Sequence, residues 1–263
     1  MRSPAFPGLG RDLVGKACLI TGSSRGIGAA VARGAGRAGM RVAVHYHSAR
    51  DEAEQVAADI RAAGAEAIVL KGDIAEPGLV ESLIGQTADA FGRIDVLINN
   101  AADLIERRSV ADTDDALFER HIALNIRPVF AACREAVRRF RAQGGGGAII
   151  NLSSIAARTG GGGGSSLYAG SKAFVATFSR ALAREVAGDG IRVNCVAPGV
   201  LATPMQDRTT PPEMLEAVRR QIPLKRIGTP EESVGAFLWL ASDEMSGYVI
   251  GEVIEVNGGL LMA

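Results

Sequence analysis

The chain has 263 residues, of which 47% are apolar, enough to form one large hydrophobic core. Lysine and arginine together number 29, as do aspartate and glutamate, so the formal net charge is zero. This balance argues against a nucleic-acid partner and against attraction to an anionic membrane surface. The sequence therefore predicts a protein whose ligand is held by a local site.

Both the first residues and the cysteines indicate an intracellular protein. No apolar run approaches the ~20 residues needed to span a bilayer, and residues 1–15 lack the apolar core of a signal peptide. The three cysteines, Cys18, Cys133 and Cys195, lie far apart within apolar stretches, which predicts buried, reduced thiols. We expect a cytoplasmic protein with a flexible tail at residues 1–14 and a single domain over residues 15–263.

Short apolar runs rich in β-branched residues alternate along the chain with alanine-rich segments of helical periodicity. The predicted strands are Ala17–Thr21, Val42–Tyr46, Ala67–Leu70, Val96–Asn99, Ala148–Leu152, Ile191–Ala197 and Val253–Val256. The predicted helices are one beginning near Ile27, then Ala49–Ala63, Leu79–Phe91, Asp115–Arg141, Ser166–Ala187 and Glu231–Ala241. This alternation requires crossover connections. It predicts an α/β fold, a doubly wound Rossmann-type domain whose parallel sheet of about seven strands has helices on both faces.

A glycine-rich turn, Thr21-Gly-Ser-Ser-Arg-Gly-Ile-Gly28, follows the first predicted strand and leads into a helix. Gly22, Gly26 and Gly28 allow close backbone approach, and a helix start offers free N–H groups to a pyrophosphate. Ser23, Ser24 and Ile27 can add contacts. The spacing G-x-x-x-G-x-G differs from the usual G-x-G-x-x-G, so a tight turn without a ligand is the alternative.

The end of the second predicted strand determines which dinucleotide is favoured. In the common plan, an acidic residue there binds the ribose 2′-hydroxyl, but here the sequence reads His45-Tyr-His-Ser48. With no carboxylate to repel a 2′-phosphate, and with Arg25 nearby, we expect NADP(H), with NAD(H) possible. Tyr46 and Ser48 are the candidate contacts in this stretch. His45 and His47 have no further metal ligands near them in sequence, so we expect a polar rim and no metal site.

Tyr168 and Lys172 are four residues apart and so share one face of a predicted helix. A free tyrosine has a pKa of ~10, and a nearby ammonium together with an oxidised nicotinamide ring is expected to lower that pKa toward neutrality. Upstream, Ser153 and Ser154 follow a predicted strand, and a hydroxyl there can hold a substrate oxygen while Tyr168 exchanges its proton. The Tyr-x-x-x-Lys pair alone is a weak signal, because surface helices contain it by chance.

Taken together, the motifs closely resemble the classical short-chain dehydrogenase/reductase family. They run in the family's order and at near-family spacing from about Lys16 to Gly259. The motifs are Thr21–Gly28, Asn99-Asn-Ala-Ala102, Asn125, Ser153-Ser154, Tyr168-x-x-x-Lys172 and Pro198-Gly199. One departure is Ala102, where the family usually has glycine.

The resemblance implies a catalytic tetrad. Asn125 looks like the anchor of a water relay, Ser154 like the donor to the carbonyl oxygen, and Tyr168 like the acid/base. Lys172 looks like the group that lowers the pKa of the tyrosine and binds the nicotinamide ribose. Ser154 is preferred over Ser153 because the second hydroxyl matches the family motif.

The resemblance also implies cofactor contacts along the ends of the strands, where ligands of open α/β sheets bind. Besides Tyr168 and Lys172, they are Gly22, Ser24, Arg25, Gly26, Ile27 and Gly28 in the turn, Asp73 and Ile74 at the adenine, Asn99 and Ala101 after the fourth strand, and Pro198, Gly199, Val200 and Thr203 at the nicotinamide. Asp73, Asn99 and Thr203 also have structural interpretations, as a turn cap, a tie between strands and a helix cap. The family further implies a homotetramer, built partly from the helices that contain Asn125 and Tyr168.

Three further segments carry hypotheses. Pro128 cannot donate a hydrogen bond to the carbonyl of Leu124, and we expect the freed carbonyl beside Asn125 to suit a bound water. The segment between Val200 and Arg226, with Met205, Thr209-Thr-Pro-Pro212 and the amphipathic Glu213–Arg220, is interpreted as a lid over a partly apolar substrate, or else as a surface excursion. The arginines of one helix, Arg134, Arg138, Arg139 and Arg141, predict a solvated face, with a docking patch for an acyl-carrier protein as the alternative.

The predicted function is hydride transfer between NADP(H) and a carbonyl or secondary alcohol, with Tyr168 as the acid/base. A 3-oxoacyl-thioester reductase and reductases or dehydrogenases of sugars, steroids and small ketones are alternatives within the family. A non-catalytic nucleotide-sensing protein is the alternative from another class, although a sensor has no need of a proton-transfer tyrosine. Isomerase or dehydratase chemistry on the same scaffold is a third possibility.

Overall fold

The structure is a computed structural model that describes residues 9–262. Residues 1–8 of the predicted tail lie outside the described residues. Arg11–Leu13 form a 3₁₀ turn in which Leu13 is buried, and Asp12 accepts hydrogen bonds from the Ser242 hydroxyl at 2.6 Å and the Asp243 N–H at 2.7 Å. The chain is therefore packed against the domain from Arg11 onward. This differs from the flexible tail predicted to extend to residue 14, because an apolar side chain and a carboxylate both find partners there.

Seven strands form one parallel sheet in the order β3-β2-β1-β4-β5-β6-β7. Their bounds are Ala17–Ile20 (β1), Arg41–Tyr46 (β2), Ala67–Lys71 (β3), Val96–Asn99 (β4), Gly147–Leu152 (β5), Ile191–Pro198 (β6) and Val253–Val256 (β7). Each predicted strand is present with its ends shifted by one residue at most. β1 and β4 are buried along their whole length, as expected for strands covered on both faces.

Helices cover both faces of the sheet. Their bounds are Gly26–Arg37 (α1), Arg50–Ala62 (α2), Leu79–Phe91 (α3), Asp115–Asn125 (α4), Arg127–Gln143 (α5), Ala156–Thr159 (α6), Ser166–Val186 (α7), Pro204–Thr209 (α8), Pro212–Gln221 (α9), Glu231–Ala241 (α10) and Asp243–Ser246 (α11). One hydrophobic core packs α1, α2 and α10 against the sheet, and a second packs α3, α5 and α7 against the opposite face. The predicted doubly wound fold is confirmed. Within the described residues, none of the helices is both long enough and apolar enough to cross a membrane.

The order of the strands creates a crevice above β1. From β1 the chain moves to β2 and β3 on one side, and it then returns to β4 on the other side of β1. Cys18 pairs in register with Val42 on β2 and with Val96 on β4. Connections that leave β1 and β4 in opposite directions leave an opening at their carboxyl ends, which is where open α/β sheets bind ligands.

The long helix predicted over Asp115–Arg141 is wrong in one respect, because the structure has two helices there. α4 ends at Asn125, Ile126 has φ −115° and ψ −60°, and α5 begins at Arg127. Pro128 causes the break, because it has no N–H to continue the hydrogen-bond ladder and its ring restricts the preceding turn. The freed carbonyl of Leu124 and a water bound to it stay predictions.

The three cysteines are free and buried, as predicted. Burial raises the pKa of all three thiols, that of Cys133 to about 12 and that of Cys195 to about 11. Thiols held in the neutral form are poor nucleophiles, so these side chains serve as core packing.

Candidate active site

A cavity of about 550 Å³ lies at the carboxyl edge of the sheet. Most of the predicted site residues line it. They are Gly22, Ser24, Arg25, Gly26, Ile27, Gly28, Ser48, Asp73, Ile74, Ala101, Ser154, Tyr168, Pro198, Gly199 and Thr203. The fold therefore brings side chains and turns from the ends of six strands to one opening.

Five predicted site residues do not line this cavity. Asn125 and Lys172 are buried beside it. Tyr46 packs into the hydrophobic core, because neighbouring side chains of a strand point to opposite faces and His45 and His47 take the cavity side. The remaining two, Asn99 and Val200, are held by the framework. The Asn99 amide donates to Asn151 on β5 at 2.8 Å, and the Val200 carbonyl accepts from the Gly228 N–H at 3.2 Å.

The structural interpretations of Asp73, Asn99 and Thr203 all describe what these side chains do here. Asp73 accepts the N–H of Ala75 at 2.9 Å, which caps a turn, and Asn99 links β4 to β5. Thr203 caps the start of α8 by accepting the N–H of Gln206 at 3.3 Å. Asp73 and Thr203 also line the cavity, so capping and ligand contact are compatible there.

The turn between β1 and α1 forms a cradle in which three glycines leave the backbone open to a ligand. Gly22 and Gly26 have φ 63° and 55°, a left-handed conformation that L side chains rarely adopt. A Cβ on Gly28 would collide with the carbonyl oxygen of Gly22 and the side-chain amide of Asn100. That amide donates to the carbonyls of Thr21 and Gly22 at 2.8 and 3.0 Å, so both oxygens already accept a hydrogen bond within the protein. The first turn of α1 holds no acidic residue, so the cradle fits the pyrophosphate of a dinucleotide.

Polar and cationic groups surround the far end of the cavity. Arg25 is exposed, and its Nε lies 3.1 Å from the Glu52 carboxylate, which holds the pKa of Glu52 below its usual range. His47 lies near Asp73, with 3.9 Å between Nε2 and Oδ2. A guanidinium, an imidazole and the Ser48 hydroxyl therefore stand where the sequence predicted the 2′-position of the ribose to bind.

The two serines after β5 have different roles. Ser153 is buried, and its hydroxyl donates to the Lys172 carbonyl at 3.0 Å. Ser154 accepts the N–H of Ala156 at 3.1 Å, which leaves its own hydroxyl proton to donate into the cavity that it lines. The preference for Ser154 over Ser153 as the oxygen-binding hydroxyl therefore has a geometric basis.

Tyr168 and Lys172 share one face of α7, one turn apart. The Lys172 ammonium is 5.6 Å from the centroid of the Tyr168 ring, and it donates to the carbonyl of Leu152 at 2.7 Å. Lys172 is 1% exposed, and its bond to Leu152 ties the first turns of α7 to the end of β5. The phenol lines the cavity, and the ammonium lies behind it.

The pKa values of this pair are governed by burial. Burial raises the pKa of Tyr168 to about 12, with the Ser154 hydroxyl acting in the opposite direction and the Asp103 carboxylate reinforcing the rise. Burial also lowers the pKa of Lys172 to about 8. The sequence predicted a lowered tyrosine pKa. The protein by itself has the opposite shift, because desolvation of the phenol outweighs the effect of the Ser154 hydroxyl on its pKa.

Asn125 holds the loop after β4 in place through two hydrogen bonds to the backbone of Asp103. Its Oδ1 accepts the N–H of Asp103 at 3.0 Å, and its Nδ2 donates to the Asp103 carbonyl at 3.0 Å. His121, one turn earlier in α4, lies 3.2 Å from Nδ2 through its Nδ1 atom. Asn125 is thus fixed by the backbone that it supports, and it acts on the cavity through Asp103.

The segment predicted as a lid supplies the wall next to Tyr168. α8 and α9 occupy it, and α9 covers the predicted amphipathic stretch. Arg107, from the loop after β4, donates to the Thr209 carbonyl at 2.7 Å and to the Gly163 carbonyl at 3.0 Å. This one guanidinium therefore joins the loop after β4 to the end of α8 and to the loop before α7.

The cavity also has walls that sequence reasoning did not assign. They are Ala49, Asn100, Ala102, Asp103, Leu124, Leu201, Pro204, Gln206 and Arg208. Asn100 and Ala102 carried a signal, since both belong to the motif Asn99-Asn-Ala-Ala102 that marks the end of β4. The others have no local pattern that distinguishes them from loop or helix residues.

Four arginines of α5 lie near acids. Arg134 binds Glu81 at 2.9 Å, Arg139 and Arg138 face Glu135 at 3.0 and 3.9 Å, and Arg141 binds Asp189 at 2.8 Å. The positive charge of these four arginines is therefore partly neutralised by three carboxylates in the folded protein.

A glycine cradle and a Ser–Tyr–Lys cluster at one edge of a doubly wound sheet define the class of nicotinamide-dependent oxidoreductases with a Rossmann fold. Residues 22–261 match the family described as enoyl-(acyl carrier protein) reductase. The chain is 38% identical over 256 residues to 3β-hydroxysteroid dehydrogenase 1 of Eggerthella lenta, covering 95% of each protein. It is 38% identical over 254 residues to a 3-oxoacyl-[acyl-carrier-protein] reductase of Synechocystis, covering 95% of this chain and 98% of that protein. The chain belongs to the classical short-chain dehydrogenase/reductase family.

Solved structures of similar proteins have the same fold. An NADH-dependent reductase in complex with NAD matches with a TM-score of 0.86 and 35% identity, covering 97% of this chain and 100% of that one. A short-chain dehydrogenase from Burkholderia cenocepacia in complex with NADP matches with a TM-score of 0.86 and 32% identity, covering 94% and 98%. Similar folds thus bind either nicotinamide dinucleotide.

Proposed function

We propose that this protein interconverts a carbonyl and a secondary alcohol with NADP(H), using Tyr168 as the proton-transferring group. One observation carries the proposal: the hydroxyls of Ser154 and Tyr168 wall the same cavity as the glycine cradle after β1. A dinucleotide on the cradle would be held by Gly22, Gly26 and the first turn of α1. When bound, it supplies or accepts the hydride.

The chain's own residues handle the oxygen and its proton. Ser154 donates a hydrogen bond to the carbonyl oxygen, and Tyr168 gives that oxygen its proton as the alcohol forms. A phenol whose pKa lies near 12 is fully protonated at neutral pH, which suits a proton donor in the reductive direction. The Lys172 ammonium lies behind the ring, where its charge stabilises the phenolate left after proton transfer. Asn125 positions the loop beside this pair.

The preference for NADP(H) rests on the far end of the cavity. No carboxylate stands directly at the end of β2, and Arg25, His47 and Ser48 line the wall there. A guanidinium binds phosphate with charge-assisted hydrogen bonds that a 2′-hydroxyl does not equal. Arg25 reaches this position while paired with Glu52, so we expect it to exchange part of that contact for the phosphate.

The substrate is a small molecule with a partly apolar body. Leu201 and Met205 contribute apolar surface to the cavity, and Gln206 and Arg208 contribute polar groups. Steroid, sugar and 3-oxoacyl substrates remain alternatives, and two relatives are named for a hydroxysteroid and for a 3-oxoacyl thioester. The pairing of the α5 arginines with acids favours a solvated face there over a docking patch for an acyl-carrier protein.

We also propose a homotetramer, assembled partly through α4, α5 and α7. Phe118, Phe130 and Phe174 are exposed on these helices, and Phe174 stacks on Phe178 at 5.5 Å between ring centroids. Large exposed aromatic clusters mark association surfaces on soluble proteins. Light scattering measures the molar mass, and the monomer's mass at micromolar concentration would contradict this assembly.

The test of the function combines substrates with one variant. A panel of ketones and alcohols is assayed with NADPH, NADH and their oxidised forms by nicotinamide absorbance. Tyr168→Phe is expected to lose turnover by at least about 10²-fold while keeping NADPH affinity. Tyr248→Phe is the matched control, because Tyr248 is 103% exposed and lies outside the cavity.

Undiminished turnover in Tyr168→Phe would contradict the role of this tyrosine. A wild-type protein that binds NADPH and turns over no substrate of the panel would favour the nucleotide-sensing alternative. Product analysis separates the remaining alternative, because isomerase or dehydratase chemistry consumes no net NADPH.

A further inference from the structure

The imidazole of His45 connects two walls of the dinucleotide cradle. His45 is buried on β2, one residue before the strand's end. The N–H of Gly22, in the turn after β1, lies 2.9 Å from Nδ1, and the carbonyl of Gly72, after β3, lies 3.0 Å from Nε2. The ring therefore bridges the turn that holds a pyrophosphate and the loop that leads to Asp73.

These two contacts fix the protonation state of the ring. A backbone N–H only donates, so Nδ1 must present a lone pair to Gly22. A carbonyl oxygen only accepts, so Nε2 must carry the proton directed at Gly72. The geometry requires the neutral imidazole in its Nε2–H tautomer, because in the charged form both nitrogens carry protons.

The backbone around His45 makes the turn dependent on this residue. The Ser23 N–H donates to the His45 carbonyl at 2.9 Å, and the His45 N–H donates to the Ser23 hydroxyl at 2.9 Å. Together with the Gly22 contact, three hydrogen bonds join this residue to two successive residues of the turn. Gly22 has φ 63°, and the hydrogen bond from its N–H to the imidazole holds it in position.

We propose that His45 is a positioning residue that holds the Gly22 turn in its dinucleotide-binding shape only while its ring is neutral, so that protonation weakens cofactor binding. A protonated Nδ1 would direct an N–H at the N–H of Gly22, which replaces a hydrogen bond by a donor–donor contact. The turn must then move, and the cradle moves with it. The proposal rests on the proposed function in that the ligand of the cradle is a nicotinamide dinucleotide.

The surroundings of His45 lower the pKa of its ring below that of a free histidine. Burial lowers its pKa and is the largest influence, with the neighbouring His47 acting in the same direction. Asp73, after β3, and the bond to Gly72 act in the opposite direction. On the side of α1, the charge of Arg25 is paired with Glu52 of α2, and Lys71 at the end of β3 is exposed. The neutral ring is therefore the dominant form at neutral pH, and the lowered pKa means that protonation requires a lower pH than it does for a free histidine.

The experiment compares binding curves of NADPH, followed by its fluorescence between pH 5 and 8, for wild type and His45→Asn. An asparagine amide can accept the Gly22 N–H through Oδ1, in the place of the imidazole Nδ1, and it does not titrate in this range. Below the pKa of His45, the wild-type Kd is expected to rise about tenfold per pH unit relative to the variant. Groups common to both proteins, such as His47, Asp73 and the ligand's 2′-phosphate, cancel in this ratio. His121→Asn, at a buried histidine of α4 that does not line this cavity, is the matched control, and it is expected to keep the wild-type pH dependence of the Kd.

A second measurement uses no ligand. The backbone amide resonance of Gly22 in ¹⁵N-labelled protein is expected to shift with the same midpoint as the wild-type Kd and to stay constant in His45→Asn. Equal pH dependence of the Kd in the two proteins, or a Gly22 resonance that does not titrate in wild type, would overturn the proposal. Failure of wild type to bind NADPH or NADH at pH 8 would instead contradict the proposed function, and the amide titration would still test His45.

Discussion

The guanidinium of Arg208 binds both carboxylate oxygens of Asp103, at 2.5 and 2.6 Å. Asp103 lies in the loop after β4, and its backbone is held on the other side by Asn125. Arg208 lies on α8, in the segment interpreted as a lid, and it also donates to the Ile105 carbonyl at 2.8 Å. The ion pair therefore joins the substrate-side helix to the loop that Asn125 supports, within the wall of the cavity.

Breaking this ion pair should weaken substrate binding more than it slows the chemical step. For Arg208→Gln and for Asp103→Asn we expect KM to rise by a few-fold and kcat to change less, because a half-exposed pair contributes only about 0.2–1 kcal/mol. Steady-state kinetics of both single variants and the double variant measure the coupling. Arg226→Gln breaks a pair of similar exposure with Glu232, away from the cavity, and serves as the control. Equal effects of Arg226→Gln and Arg208→Gln would contradict a role of Arg208 in the lid.

Asn125 should be sensitive to an isosteric change. Asn125→Asp keeps the shape but replaces the Nδ2 donor by an oxygen that faces the Asp103 carbonyl, so a bond is lost and a repulsion is added. We expect kcat to fall by about tenfold or more, corresponding to about 1.4 kcal/mol of transition-state stabilisation, with a smaller change in NADPH affinity. His121→Asn leaves both bonds to Asp103 intact and is expected to change kcat less. An Asn125→Asp variant with wild-type kcat would show that Asp103 needs no support from α4.

The buried ammonium of Lys172 makes stability depend on pH. Because its pKa is lowered to about 8, the folded protein binds fewer protons than the unfolded chain between that pH and the ordinary value of 10.5. The resulting gain in the free energy of unfolding is complete above pH 10.5, the pKa of lysine in the unfolded chain. It is lost as the pH falls toward 8, the pKa of Lys172 in the folded protein. The free energy of unfolding of wild type should rise by about 2 kcal/mol relative to Lys172→Met between pH 8 and pH 10. Urea unfolding at both values measures it. Parallel curves for the two proteins would refute the lowered pKa.

Arg25 should distinguish the two dinucleotides. Arg25→Ala is expected to weaken NADPH binding by about 10- to 100-fold and NADH binding only slightly, because the lost bonds go to the 2′-phosphate. Titration by fluorescence gives both Kd values. Arg33→Ala, which removes the half-exposed partner of Asp59 elsewhere on α1, is the control. A parallel loss of affinity for both dinucleotides would assign Arg25 to the pyrophosphate rather than to the 2′-phosphate.

Much of the candidate site could be predicted from local pattern. Gly22, Gly26 and Gly28 are recognisable because a left-handed turn and a close approach of backbone both exclude a side chain. Tyr168 and Lys172 are recognisable because four residues make one turn of helix. The side chain of Tyr46 packs into the core, because side chains alternate between the two faces along a strand and His45 and His47 line the cavity.

The rest of the site depended on contacts between distant segments. Asp103, Gln206 and Arg208 have no motif, and they meet only because α8 returns to the loop after β4. The neutral tautomer of His45 depends on the carbonyl of Gly72, which is 27 residues further along the chain. The direction of the Tyr168 pKa shift depended on how deeply the phenol is buried, and a sequence does not state that depth.

The sequence by itself determined the order of strands and helices, the parallel doubly wound sheet and the edge at which the functional residues meet, because hydrophobic periodicity and glycine positions are local properties of the chain. The tertiary structure alone decided which residues form the wall of the cavity on the substrate side and how the buried groups are protonated. These depend on packing and desolvation between segments far apart in the chain. Burial is a property of the assembled fold, and it governs the chemistry of this edge of the sheet.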